Sequence, residues 1–221
     1  MFKQIPIIGF IHIGNIGRWH SIYQDQIKSI KLHKLYEKTN LIYLGVSGDD
    51  ISDQVEQNEK IKIFCHDSNL SNGENNTLKE IFNFSKYNDC KIWYIHTKGA
   101  QYHEGNMNEY VENVDSWRKY LEYFIIEKHN ECIEALNNYD VCGAEWHGNH
   151  FWGNFWWANS KYIRKMKNIL IGNCKRKRCL AEFHFINKGN PKVKNFFYYG
   201  NKKWYQSLCK RSDYCNFKLF L

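Results

Sequence analysis

At 221 residues, 43% hydrophobic and 17% aromatic, the chain is long enough for a buried core and too apolar for general disorder. Its net charge of +8 is uneven: residues 161–221 carry 16 Lys and Arg against 2 Asp and Glu, and residues 1–160 carry 15 against 21. That leaves +14 on the final segment and −6 on the rest, so an anionic partner is expected: a nucleotide diphosphate, a nucleic acid or a membrane surface met peripherally.

The N-terminal stretch MFKQIPIIGFIHIGN lacks a small-residue cleavage site, and no apolar run reaches the roughly 20 residues that cross a bilayer. A strand over Ile5–Ile13 and a cytoplasmic location are expected. Arg18–Tyr36 predicts a helix, with Trp19, Ile22, Tyr23, Ile27, Ile30 and Leu35 close to helical spacing. Strands follow at Leu41–Val46, Ile61–Cys65 and Lys91–Ile95, with a helix over 78–87 capped by Asn76 or Thr77. Val114–Leu136 carries one apolar stripe and predicts a long helix with Asp115 in its first turn. A short strand at Asp140–Ala144, a helix over 161–169 capped by Asn159-Ser160 and a short element at 179–187 complete the reading. Only Pro6 and Pro191 occur, so no Pro-rich linker divides the chain and one domain over 1–221 is expected. The eight cysteines form no CxxC pair, a pattern of reduced, packed thiols.

Continuous apolar strands separated by helices predict an α/β, mostly parallel sheet covered on both faces. In such a sheet, ligands bind at the carboxyl ends of the strands. Four polar or Gly-bearing loops qualify: His12–Gly17, Ser47–Asp50, His66–Asn69 and His96–Gly99. In the last, Lys98 suits phosphate and Gly99 lets backbone approach a ligand. Neither a P-loop nor GxGxxG is present. The segment Trp146–Ala158 holds four Trp, two Phe, two His and two Asn, with Gly148 and Gly153. Indole faces beside amides suit a sugar; the alternative is an aromatic strand pair and turn with no ligand.

Taken in order, these pieces resemble the small GT-A-type glycosyltransferases of large DNA viruses and bacterial polysaccharide loci. The matching pieces are His12 and Trp19, then Leu35-Tyr36-Glu37, IWYIHTKGA, Trp117-Arg118, Asp140-Val141-Cys142-Gly143, HFWGNFWWANSKYI and Arg178 with Glu182. The resemblance covers roughly residues 5–187. It implies a GT-A-like (Rossmann-like) mixed sheet flanked by helices in a single domain. A nucleoside-diphosphate sugar would lie on the half about 1–110 and a glycan or other hydroxyl acceptor on the half about 111–221. The donor side would be His12, Asn15, Asp49, His96, Thr97, Lys98 and Gly99. The sugar and acceptor side would be Trp117, Arg118, Asn149, Asn154, Trp156, Trp157 and Arg178. Many GT-A enzymes hold a cation with an Asp-x-Asp pair where this chain has His96-Thr97-Lys98. Lys98 as a point charge replaces the cation, or His96 with a later carboxylate or His ligates Mn²⁺ or Mg²⁺. Glu182 is the first candidate for the base, unless it pairs with Arg178 four residues earlier; His150, His147 and Glu145 are its rivals. Two readings from other classes stand beside this one: a nucleic-acid-binding protein using the basic aromatic C-terminal third, and a non-catalytic carbohydrate-binding module. Nucleic acid is not favoured, because the Trp/Asn cluster at 146–158 is poor in Lys and Arg.

Overall fold

The computed structural model describes residues 5–102, 108–166, 181, 185–200 and 202–216. Its centre is one seven-stranded sheet, ordered β3-β2-β1-β4-β6-β5-β7. The strands are β1 (Ile7–Gly14), β2 (Leu41–Ser47), β3 (Ile61–Asp67), β4 (Lys91–His96), β5 (Val141–Gly143), β6 (Trp156–Asn159) and β7 (Val193–Asn195). The pairs β1–β2, β1–β4, β2–β3 and β5–β7 are parallel. Strand β6 runs antiparallel to both β4 and β5. The sheet is therefore mixed, mostly parallel and flanked by helices, as expected for a GT-A-like α/β chain.

Alternation along the strands separates two cores. Ile7, Ile11 and Ile13 of β1 join Trp93 and Ile95 of β4 on one face. Helices α1 (Trp19–Leu32), α4 (Glu109–Glu122) and α5 (His129–Ala135) cover that face with Trp19, Ile22, Trp117, Leu121 and Cys132. Ile8, Phe10, Ile92 and Tyr94 face the other way, under α3 (Asn75–Ser85) and α6 (Ser160–Ile163). The Trp93 ring lies where a side chain on residue 9 would be; a Cβ there would come within 2.0 Å of it, so glycine is required.

Several sequence expectations shift. The helix expected over Arg18–Tyr36 is two: α1, then α2 (Leu35–Lys38), divided at Lys34 with φ of 67°. The helix expected over Val114–Leu136 starts earlier, where the Asn108 side chain accepts the Val111 N–H at 3.1 Å. It then widens into a π turn at Tyr123–Glu127 before α5, so Asp115 lies inside a helix rather than in its first turn. Helix α3 begins after Glu74, not at Asn76 or Thr77. The amide of Asn159 does not cap α6; it donates to the Leu136 and Tyr139 carbonyls at 2.9 Å each. Strand β6 falls in the aromatic segment, as its alternative reading as a strand pair had it; β7 was not expected, and a final helix, α7 (Arg211–Cys215), follows. Most of the element expected at 179–187 lies outside the described residues.

The described cysteines 65, 90, 132, 142, 209 and 215 are free thiols. Burial pushes those of Cys65, Cys90 and Cys209 up to about 11. Among the described residues no helix is long and apolar enough to cross a membrane.

Candidate functional site

Parallel register brings the carboxyl ends of β1, β2, β3 and β4 to one edge. His12 pairs with His96, Gly14 with Ser47, and Ser47 with Asp67. The loops that follow are laced together. Asn15 donates its backbone N–H to the Ser47 carbonyl at 2.8 Å and its side-chain amide to the Asp49 carbonyl at 3.3 Å. Gly14 donates to Thr97 Oγ1 at 3.3 Å, Thr97 donates to the His12 carbonyl at 3.0 Å, and His66 Nε2 lies 2.7 Å from the Gly48 carbonyl. All seven residues expected on the donor side thus lie at or just beyond this edge.

His12 is buried, with Nδ1 2.9 Å from Thr77 Oγ1. Gly45 on β2 makes room for that threonine; a Cβ there would stand 2.0 Å from Thr77 Oγ1. Asp49 and Asp50 are exposed. The Ser52 N–H bonded to Asp50 holds its carboxyl below the usual carboxylate range.

The Lys98-Gly99 turn rests on buried charge. Arg18 Nε donates to the Gly99 carbonyl at 3.4 Å, and Arg118 Nη1 donates to the Lys98 carbonyl at 3.0 Å. Both guanidinium groups are buried and meet at Asp115, Arg118 at 2.8 Å and Arg18 by a short ion pair. Arg118, expected beside the acceptor, instead holds the backbone that presents Lys98. Gly99 sits at φ of +88°, where a side chain is strained. The Lys98 ammonium lies 3.6 Å from the centre of the Trp117 ring, a cation–π contact.

Trp117 joins this edge to an aromatic cleft of about 470 Å³, lined also by Trp152, Trp204, Tyr205, Lys202, Lys203 and Gln206. Trp117 and Trp204 stack at 5.1 Å, and Trp204 stacks in turn on Tyr120 at 5.6 Å. Trp152 carries the His147 ring on one face at 4.0 Å. His147 Nε2 lies 3.3 Å from Glu145 Oε2. The Glu145 carboxylate is fully buried and accepts from Tyr120 Oη and the Tyr199 N–H, each at 2.7 Å. Burial raises its pKa, against the lowering effect of those donors and of His147. Glu145 also holds φ of 62°, a left-handed conformation uncommon for a residue with a Cβ.

The WHGNHFWGNFWWA segment serves the core more than a cleft. Trp156 and Trp157 are completely buried. Trp156 stacks on Tyr94 at 5.1 Å and donates its indole N–H to Asn154 Oδ1; Trp157 donates to the Ile125 carbonyl. The expectation that both indoles hold sugar is corrected: each is a packed core ring with its polar atom satisfied. Asn154 is likewise buried, donating to Glu74 Oε2 at 2.7 Å. Glu74 also accepts from Tyr94 Oη at 2.6 Å and stands 3.7 Å from His96 Nδ1, while His96 Nε2 lies 2.9 Å from the Gly153 carbonyl. His96 is therefore clasped between Glu74 and the β6 loop. Among the described residues no cluster of three or more His, Cys, Asp or Glu side chains could hold a metal ion. His150 is buried, with Nδ1 2.6 Å from Asn149 Oδ1. Arg178 and Glu182 lie outside the described residues.

Sequence reasoning missed Glu74, Trp204 and Tyr205, and flagged Trp152 only as one of the four Trp of the 146–158 segment. Glu74 carried a signal, a carboxylate directly before a helix, whereas the aromatics of the tail had no periodicity to mark them.

No curated protein matches this sequence. Among solved structures, the fold is similar to that of a "putative nucleotide-diphospho-sugar transferase" from Desulfovibrio desulfuricans G20, at 7% identity and a TM-score of 0.43, over 89% of this chain and 80% of that one. A family model described as a domain of unknown function, DUF8361, matches residues 12–208, and the chain belongs to that family.

Proposed function

We propose that this chain is a glycosyltransferase that moves a sugar from a nucleoside-diphosphate sugar to a glycan or other hydroxyl acceptor, and that residues 1–221 act as one domain. The observation that carries the reading is the convergence of four polar loops on the carboxyl edge of β1–β4, the place where open α/β sheets take ligands. The order of motifs that resembles the small GT-A-type enzymes agrees with it. His12, Asn15, Asp49, His96, Thr97 and Gly99 line the donor side. Lys98, on a turn whose backbone carbonyls Arg18 and Arg118 hold and with its ammonium at the Trp117 ring, neutralises charge on the leaving diphosphate.

The acceptor lies in the aromatic cleft reached through Trp117, where C–H faces of a sugar ring pack on Trp152 and Tyr205. The proton of the acceptor hydroxyl passes to His147. Glu145 holds its Nε2, leaving Nδ1 as the accepting nitrogen, and the pair stands against a cleft ring. Glu182, the first candidate by sequence, and His150 are the rivals.

The test is a thermal-shift screen of UDP, GDP, TDP and their sugars, with and without Mn²⁺. Ligand at about 100 times its dissociation constant adds roughly 2.7 kcal/mol of stability. No shift with any of them removes the donor site. Transfer assays on His147→Gln and Glu182→Gln then assign the base: the true base variant loses turnover while retaining donor affinity.

A further inference from the structure

On the opposite side of the sheet from the aromatic cleft lies a second opening of about 520 Å³, within the range of small-ligand sites. Four asparagines (Asn149, Asn187, Asn190 and Asn195) line it together with Trp146. Trp146 and Val193, also in its wall, pack on the core beneath α3 and α6, whereas Trp117, Trp152 and Trp204 of the cleft pack on the other core. None of the described side chains in its lining carries a charge.

We propose that this pocket binds an uncharged saccharide. A hydroxyl both donates and accepts, and so does an amide; four amides around one half-buried indole match a pyranose ring with its hydroxyl rim and apolar face. An ionic ligand meets no counter-charge among the described residues of the lining. The amides are also held in place before any ligand arrives. Asn149 Oδ1 meets His150 Nδ1 at 2.6 Å, and Asn195 Oδ1 accepts the Trp146 N–H at 3.2 Å, which leaves the two Nδ2 groups to donate. Asn190 donates its N–H to the Asn187 carbonyl at 3.0 Å and adopts φ of 52°, so the 187–190 turn is closed and the backbone that carries both residues is fixed. Fixed donors reduce the ordering cost of binding. The pocket differs in chemistry from the Lys98 edge, and its occupation does not depend on glycosyl transfer.

The test is titration calorimetry of the full chain, without nucleotide, against neutral mono- to tetrasaccharides and their uronic-acid counterparts. A saturable heat is expected with at least one neutral sugar and not with the acidic ones. Asn149→Ala and Asn190→Asp should each weaken that binding about tenfold or more; Asn190→Asp should keep the parental melting temperature, and Asn149→Ala should lower it modestly because buried His150 Nδ1 loses that hydrogen bond. Asn149 and Asn190 are exposed and lie outside both cores, so folding should survive; Asp tolerates the left-handed backbone. Lys98→Ala should leave the saccharide heat intact, which separates this pocket from the donor site. Absence of binding to every neutral sugar overturns the proposal. So does preferred binding of the acidic sugars, or parental affinity in both asparagine variants.

Discussion

The carboxyl edge of β1–β4 and the aromatic segment 146–158 were the two most suggestive regions of this chain, and the structure treats them oppositely. At the edge, residues scattered over 12–99 come together because parallel register leaves no other place for the loops. In the aromatic segment, neighbours in sequence are dispersed. Trp156 and Trp157 enter opposite cores, Trp152 joins a cleft, and Trp146 lines a pocket on the far face. Local density of functional-looking side chains was the weaker guide. Loop position relative to strand direction was the stronger one, since topology, unlike composition, fixes where a side chain can be.

The sharpest way to break this contrast is to remove a core indole. Trp156→Ala should cost about 3–5 kcal/mol, because it empties a fully buried site and strands the Asn154 carbonyl. Urea denaturation measures it; a loss below about 1 kcal/mol would return Trp156 to the surface role that its sequence context suggested. Asp115→Ala comes next. Arg18 and Arg118 are then left buried without their shared carboxylate, at a cost of about 3 kcal/mol, and the Lys98 turn loses its support. Full stability in that variant would mean the two guanidinium groups find partners elsewhere.

Lys98→Ala should leave the fold intact and weaken nucleoside-diphosphate binding about tenfold, as loss of one charged contact does. Calorimetry showing parental affinity would take Lys98 out of the donor site.

The smallest effect is on pH dependence. Burial raises the Glu145 pKa in the folded state above its unfolded value. Stability from its protonated form is therefore present below about pH 4.5 and is lost as pH rises through the higher folded pKa. Glu145→Gln cannot ionise. Its melting temperature should gain on the parent's across that window, starting near pH 4.5 and levelling off above the folded pKa. Parallel curves would show that Glu145 titrates normally.

The first half was legible because β1, β2 and β4 are nearly continuous apolar runs, β3 carries Ile61, Ile63, Phe64 and Cys65 around an exposed Lys62, and each loop after them is polar. Hydrophobic periodicity reports burial, and burial on both faces reports a parallel sheet. The second half was less so. Strands β5 and β7 span only Val141–Gly143 and Val193–Asn195, too short for alternation to show. Strand β6 is hidden among aromatics whose side chains fit a core or a ligand equally well. Asp115 looked like a first-turn acid because nothing local announced the Asn108 cap, and its partner Arg18 is 97 residues away.

By itself the sequence determined the α/β class, the positions of the first four strands along the chain and the identity of the loops that could meet a ligand. These follow from side-chain spacing, which the backbone period reads directly. Only the tertiary structure decided that Trp156 and Trp157 are core, that Arg118 positions Lys98, that Glu145 is buried against Tyr120 and His147, and that four asparagines share one pocket. Each depends on contacts between residues far apart in the chain or on which face a short strand presents, and neither is encoded in local pattern.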